Sequence, residues 1–356
     1  MIQKTIFVLF GGLGSEIEVS INSGINCCLN LDQQKYKVVP LRLNTDKSWD
    51  LFQIKDFRVF GTQNGFLRKD FVEAELKNKS QKFEFWELFN NKSLLRQTLE
   101  PNFFLNLIHG EFGEDGQLQT LLKLTLIPFS GSSPEVMCLT MNKLWTQQIL
   151  GTNEILTPKT VPINFEDKNS KLNSEQIVLI TSKLKFPLVA KPNSDGSSIG
   201  LYFINSISEL KNLEFESCNY LFQDRIVGVE YSVPVLVSTK NIVFSAIQIQ
   251  ATDNNFDYNA KYLSSKTQEI CPAPITQELE DRLEKLALQC NLILGCRGIT
   301  RTDMIHDPIT DQIFVLEINT IPGMTKSSLI PKFCHLTGFS LSELLDQMIE
   351  SALTKN

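Results

Sequence analysis

Asp303, Glu317 and Asn319 are the residues whose types and spacing most directly invite chemistry. Ile299–Ile305 and Ile313–Thr320 read as two strands joined by a turn that contains Asp307-Pro308. Side chains alternate along a strand, so residues two apart share a face. Arg301 and Asp303 share one face, and Glu317 and Asn319 another, with Phe314, Leu316 and Ile318 expected on the core side. A hairpin centred near Thr310 sets Asp303 opposite Glu317 and Arg301 opposite Asn319. Two facing carboxylates with an amide beside them suit a hard cation such as Mg²⁺, commonly shared with phosphates. Without a cation they would repel. A solvated polar face of an antiparallel sheet accounts for the same spacing. The stretch Thr320–Leu329 that follows is Gly/Ser-rich and able to offer backbone N–H groups to an anion.

Other segments carry similar promise. Lys191 ends a strand and precedes Asp195-Gly196-Ser197-Ser198-Ile199-Gly200, a loop that can approach phosphates through its backbone. It is not a Walker A motif, because the Lys precedes the loop, and a flexible hairpin loop reads equally well. Gly11-Gly12-Leu13-Gly14-Ser15-Glu16 follows the first strand and opens a helix. A dinucleotide site is the rival there, but GxGxxG spacing and the acidic residue about 20 positions on are missing. Glu16 is either a first-turn acid or a receiver for a substrate ammonium group. His109–Gly116 lies at the carboxyl end of a strand, where ligands of α/β sheets bind.

These residues need a scaffold, and the chain supplies one. Thr5–Phe10, Lys37–Leu43, Phe103–Ile108 and Leu126–Phe129 read as buried parallel strands, with helices at Glu18–Leu29 and Gln117–Leu124. Asp46–Glu100 is mixed, with a polar insertion around Lys77–Lys82. Next come a helix over Thr140–Leu150 and one over Ser174–Lys185 with Ser174 as N-cap. Strands follow at Phe186–Lys191 and Leu201–Ile204. Tyr220–Ile226, Tyr231–Val237 and Asn241–Gln250 read as antiparallel strands, Asp253–Gln268 as a polar loop and Gln277–Gln289 as an amphipathic helix. The 356 residues, 42% hydrophobic, are enough for two or three packed cores. A net charge of −6 argues against a nucleic-acid partner, which needs a basic face. No apolar stretch is long enough to span a membrane, and Met1–Phe10 reads as a strand and not a signal peptide. Eight cysteines without a CxxC pair read as reduced thiols of a cytoplasmic protein.

Taken together, Phe10–Ser20, His109–Gly116, Met141-Asn142-Lys143, Lys191–Gly200, Tyr258–Tyr262, Arg301-Thr302-Asp303 and Leu316–Thr325 resemble the D-alanine–D-alanine ligases of the ATP-grasp superfamily, in the family's order and over nearly the whole chain. The resemblance implies an α/β and α+β fold in three domains. Residues 1–131 would form an N-terminal parallel-sheet α/β domain that binds substrate. Residues 132–222 and 223–356 would be two subdomains whose antiparallel sheets grip ATP. It also implies roles. Lys143, Lys191, Ser197, Ser198 and Lys261 would hold phosphates, Gln223, Ile226 and Leu316 would line the adenine, and Glu230 would take the ribose. Asp303, Glu317 and Asn319 would bind two Mg²⁺, with Mn²⁺ able to substitute. Glu16, Ser197 and Tyr262 would form a hydrogen-bonded triad, Glu16 receiving the ammonium of the first D-alanine beside His109. Arg301 and Gly323 would steady an oxyanion, and Ser328 and Leu329 would take the second D-alanine's carboxylate. A homodimer is the family expectation.

Departures are visible. Gly14 stands where the family usually has Ser, Ile17 where His is common, Gln223 where Glu is frequent and Arg225 where an aromatic is usual. Gln223 can still accept from an adenine amino group, and Arg225 can stack on a ring. The competing expectations are a ligase preferring D-lactate or D-serine as second substrate, which the presence of Tyr262 disfavours for D-lactate; a non-catalytic nucleotide-binding relative; and a dinucleotide oxidoreductase built on Gly11–Gly14.

Overall fold

The computed structural model describes residues 3–53, 81–83, 99–194, 196, 199–251 and 267–354. Ser197, Ser198, Lys261 and Tyr262 lie outside the described residues, as do nearly all of the Asp253–Gln268 loop and most of the Lys77–Lys82 insertion.

The first sheet grows around β1 (Lys4–Gly11), which pairs in parallel with β2 (Tyr36–Leu43) and β5 (Phe103–Asn106). Two short antiparallel strands, β3 (Trp49–Leu51) and β4 (Gln81–Phe83), extend one edge. An apolar run with no polar alternation must be covered on both faces, and β1 is. Ile6, Val8 and Phe10 pack with Ile21, Ile25 and Cys28 of α1 (Ile17–Asn30), and with Leu344, Leu345 and Met348 of the last helix, α9 (Leu341–Leu353). Phe7 and Leu9 pack with Leu118 and Leu122 of α2 (Gln117–Leu124). A Cβ on Gly24 would lie 2.4 Å from the Phe10 ring, so only glycine lets α1 sit this close to β1.

The second sheet is antiparallel, in the order β6 (Thr160–Asn164), β9 (Asn219–Asp224), β7 (Leu188–Pro192), β8 (Tyr202–Ile204). It carries α5 (Ser174–Lys183) and α6 (Ile207–Asn212). The third sheet runs β13 (Thr267–Ile270), β12 (Ile247–Ala251), β10 (Val229–Val237), β14 (Gly298–Asp307), β15 (Gln312–Asn319), with β11 (Ile242–Val243) on β10. One face packs on α7 (Gln277–Leu294), and α3 (Pro134–Met141) and α4 (Lys143–Thr152) share that core through Val136, Leu139 and Leu150. The opposite face is apolar at the Leu236–Ile299 end, where it joins the first sheet's core, and polar at the Glu230–Asp303 end.

Several sequence expectations need correction. Thr140–Leu150 is two helices: Asn142 leaves the helical region at ψ 97° and its side chain accepts the Trp145 N–H, capping α4 so that Lys143 becomes its first residue. Asn173, not Ser174, caps α5, in a reciprocal box with Gln176. Leu126–Phe129 is not a strand: Leu126 takes a left-handed φ of 60° at the end of α2, and only Phe129 bridges to Phe104. The Asn241–Gln250 strand is broken into β11 and β12, α7 runs on to Leu294, and β13 begins within the expected polar loop. Among the described residues no helix is long and apolar enough to cross a membrane.

Candidate active site

The β14–β15 hairpin has the expected register, Arg301 opposite Asn319 and Asp303 opposite Glu317. Immediately beyond, the register slips, so that Met304 pairs with Val315 and Leu316 is the additional residue of a bulge. The slip keeps Ile318 on the core side as expected but overturns the expected facing of Phe314 and Leu316. Ile313, Val315 and Ile318 enter the core with α7, while Leu316 turns to a cavity beside Glu317. One inserted residue thus places an apolar wall next to a carboxylate.

That cavity, of about 520 Å³, lies between the second and third sheets. It collects Lys143 from α4, Lys191 from β7, Gln223 from β9, Ile226, Glu230 from β10, Asp303 from β14, and Leu316 and Glu317 from β15. These come from stretches spread over 175 residues of chain, from Lys143 to Glu317. Arg225 also lines it, with its guanidinium 4.9 Å from the centre of the Phe203 ring.

Both carboxylates already have a protein cation. Arg301 forks onto Asp303, Nε to Oδ1 at 2.8 Å and one terminal nitrogen to Oδ2 at 2.7 Å. The Ser232 hydroxyl donates to Asp303 Oδ1 as well. Lys143 Nζ lies 3.5 Å from Glu317 Oε2. Asn319 Oδ1 accepts the Ile321 N–H at 3.0 Å and keeps a second lone pair. Two carboxylates and an amide oxygen form an all-oxygen donor set, which fits Mg²⁺ and does not favour a softer metal. Among the described residues no three His, Cys, Asp or Glu side chains cluster as a metal cage.

A second group of residues gathers at the carboxyl end of the first sheet. Cβ atoms built on Gly110 and Gly196 would stand 3.1 and 2.9 Å from Glu16 Oε2, so the Glu16 carboxylate lies between two glycine backbones. Gly196 is the described residue of the Gly/Ser loop that lies against Glu16. His109 Nδ1 lies 3.8 Å from Glu114 Oε1, and Glu114 Oε2 accepts the Gly110 N–H. Burial pulls the His109 pKa down, but hydrogen bonding and charge from Glu114, with charge from Glu16, outweigh it and leave it raised. Burial, with the charge of Glu16, raises Glu114.

Gly323, Ser328 and Leu329 sit where the turn after β15 meets α8 (Leu329–Thr337). Ser328 is the residue preceding the helix and Leu329 its first residue, a position where backbone N–H groups favour an anion. Ser328 Oγ accepts the Thr325 N–H at 3.1 Å, folding the turn onto the helix start.

Sequence reasoning missed Ser23 and Asn26. Ser23 Oγ lies 3.4 Å from His109 Nε2 and accepts the Met324 N–H, and Asn26 Nδ2 donates to the Met324 carbonyl. They tie the His109 loop to the turn after β15. The available signal was a run of small polar residues, Ser20, Asn22, Ser23 and Asn26, on a helix that buries all of them.

Residues 5–132 match the family description "D-ala D-ala ligase N-terminus" and residues 153–350 match "D-ala D-ala ligase C-terminus". The D-alanine–D-alanine ligase of Pelagibacter ubique is 35% identical over 284 residues, 79% of this chain and 90% of that protein. Among solved structures, the VanG D-Ala:D-Ser ligase from Enterococcus faecalis superposes with a TM-score of 0.81 at 26% identity, covering 99% of this chain and all of that one. The D-alanine–D-alanine ligase from Bacillus anthracis complexed with ATP gives 0.67 at 28% identity, covering 99% and 98%. With the site built from the motifs in the family's order, and both halves matched, the chain belongs to the D-alanine–D-alanine ligase family, ATP-dependent ligases with the ATP-grasp fold.

Proposed function

We propose that this chain performs the family's reaction, joining two D-alanine molecules with ATP to give D-alanyl-D-alanine, ADP and phosphate for peptidoglycan synthesis. The observation that carries this reading is the facing pair Asp303 and Glu317 in one cavity with Lys143, Lys191, Gln223 and Glu230. In it Gln223 and Ile226 take the adenine, Glu230 the ribose, and Lys143 and Lys191 the phosphates, with Ser197, Ser198 and Lys261 joining them. Asp303, Glu317 and Asn319 would hold Mg²⁺, which supplies charge neutralisation at the phosphates when bound.

The carboxylate of the first D-alanine attacks the γ-phosphate, displacing ADP and leaving an acyl phosphate. Glu16 orients its ammonium group, with Ser197 and Tyr262 completing the triad. The amine of the second D-alanine, its carboxylate held at Ser328 and Leu329, then attacks the acyl carbon, and phosphate leaves. The developing oxyanion falls to Arg301 and the Gly323 N–H, and one preorganised donor of this kind is typically worth about 3 kcal/mol. Closing loops over the acyl phosphate excludes the water that would hydrolyse it.

The proposed domains are residues 1–131, 132–222 and 223–356, with the second boundary better set after Asp224, because β9 runs to that residue. A homodimer working in the cytoplasm is the family arrangement we adopt. The similarity to a D-Ala:D-Ser ligase favours one second reading, D-serine as the second substrate. Phosphate release by the purified chain with ATP, Mg²⁺ and D-alanine tests the first reading, and release indifferent to D-alanine sinks it. Competition between D-alanine and D-serine, with products weighed, separates the two.

A further inference from the structure

Gln223 is 2% exposed and lines the cavity, and its amide nitrogen faces two acceptors on the protein side. Its Nε2 donates to Gln147 Oε1 at 3.1 Å and to Thr160 Oγ1 at 2.8 Å. Gln147 lies on α4, and Thr160 opens β6 directly opposite Gln223 in the sheet. The Thr160 hydroxyl is also 2.8 Å from the Pro158 carbonyl and 2.8 Å from Gln147 Oε1. The Pro158 carbonyl and the Gln147 amide oxygen can only accept, so the Thr160 proton goes to them and the hydroxyl's lone pairs receive the Gln223 amide. This fixes the nitrogen of Gln223 against Thr160 and Gln147. The amide oxygen is the acceptor left for a ligand.

A carboxylate at this position would present an acceptor whichever way it turned. An amide presents an acceptor or a donor according to its orientation, so its polarity has to be set by neighbours. Gln147 also keeps its own Nε2 buried without a hydrogen-bond partner among the described residues, a cost that an apolar side chain there would not carry.

We propose that Gln147 and Thr160 are positioning residues that lock the Gln223 amide with its oxygen toward the cavity, and so make the site select a 6-amino purine nucleotide over a 6-oxo one. The adenine amino group donates to the presented oxygen. The keto oxygen of a 6-oxo purine would set acceptor against acceptor. The inference rests on the reading above that this cavity holds the nucleotide base. It adds how the base is chosen.

The test is equilibrium binding of ATP and ITP to the full chain, without D-alanine, so that it does not depend on turnover. The unaltered protein is expected to prefer ATP. Gln147→Met, near-isosteric and without the acceptor, is expected to lower the ATP-to-ITP preference about tenfold, the effect of one lost hydrogen bond. Gln147→Glu keeps an acceptor for both donors and is expected to retain the preference. In a Gln223→Met background, adding Gln147→Met should change nothing further, since Gln147 acts through Gln223. Should Gln147→Met fail to fold, Thr160→Val tests the other anchor, with a loss of preference in the same direction expected. An unchanged preference in Gln147→Met and Thr160→Val, or a further fall in the Gln223→Met background, overturns the lock. Equal binding of the two nucleotides by the unaltered protein overturns the lock alone. Binding of neither removes the cavity's assignment as a nucleotide site as well.

Discussion

Asp303 and Glu317 face each other across the β14–β15 hairpin, yet they are held in different ways. Asp303 is 4% exposed and forked by Arg301, whereas the Glu317 side chain is 30% exposed and meets Lys143 at 3.5 Å. The two carboxylates therefore separate the cost of folding from the cost of chemistry.

Asp303→Ala is expected to lose both turnover and stability. It removes the carboxylate fork that a largely buried guanidinium holds, and breaking a buried pair from one side costs about 3 kcal/mol. Glu317→Ala should cost turnover on the order of a hundredfold or more, with under about 1 kcal/mol of stability, because its ion pair is partly solvated. Urea denaturation beside phosphate-release kinetics on both variants reads the contrast. Equal destabilisation by the two would refute it.

The His109–Glu114 pair predicts a particular pH response. His109 is raised above its ordinary 6.5 because of Glu114 first among its carboxylate neighbours and Glu16 after it, against the opposing effect of burial. A raised folded-state pKa gives stability that is fully present below the unfolded value near 6.5 and is lost as pH rises through the folded value. Glu114, raised by burial above 4.5, acts in the same direction from a lower starting pH. Titrating the three histidines by NMR should place His109 above 6.5. Glu114→Gln should lower it more than Glu16→Gln does. A larger drop from Glu16→Gln would contradict the assigned order of causes.

Ser23 is expected to act on the second amino-acid site at a distance. Its hydroxyl bonds the Met324 N–H and borders His109, so Ser23→Ala frees the turn that carries Gly323. The loss should be about 1 kcal/mol of stability and a several-fold rise in KM for the second D-alanine, with little change in KM for ATP. Steady-state kinetics with each substrate varied in turn checks it, and a rise confined to ATP would point elsewhere.

Much of this was legible in the chain, and the rest was hidden for physical reasons. The pairing of Asp303 with Glu317 followed from strand alternation and a turn of the right length. The facing of Leu316 did not, because a bulge inserts a residue without a local sequence mark and reverses the alternation beyond it. The break between α3 and α4 at Asn142 was readable in principle, since Asn is a strong N-cap, but the continuous apolar pattern around it masked the cap. The sharing of one core by α1, β1 and α9 joins residues more than 300 apart, and no local pattern reports such a contact. Ser23 and Gln147 were missed for the same reason: each acts through a partner on another element, Met324 for one and Gln223 for the other.

The approach of α1 to β1 yields the last prediction. The Cβ of an alanine at Gly24 would fall 2.4 to 2.7 Å from three carbons of Phe10, a residue with no exposed surface, so neither the ring nor the helix can yield without moving the layer. Gly24→Ala removes a helix penalty of about 1 kcal/mol that glycine carries, but overpacking of this kind costs about 1–3 kcal/mol or more. The clash outweighs the gain, and net destabilisation is expected. Because Glu16 is the N-cap residue of the same helix, the displaced α1 should also shift Glu16 and raise KM for the first D-alanine. Phe10→Leu opens room at the ring, so the double variant should be more stable than the sum of the single effects allows. A thermal melt of the four proteins in the cycle measures that coupling, and simple additivity would show that Phe10 is not what forces glycine at position 24.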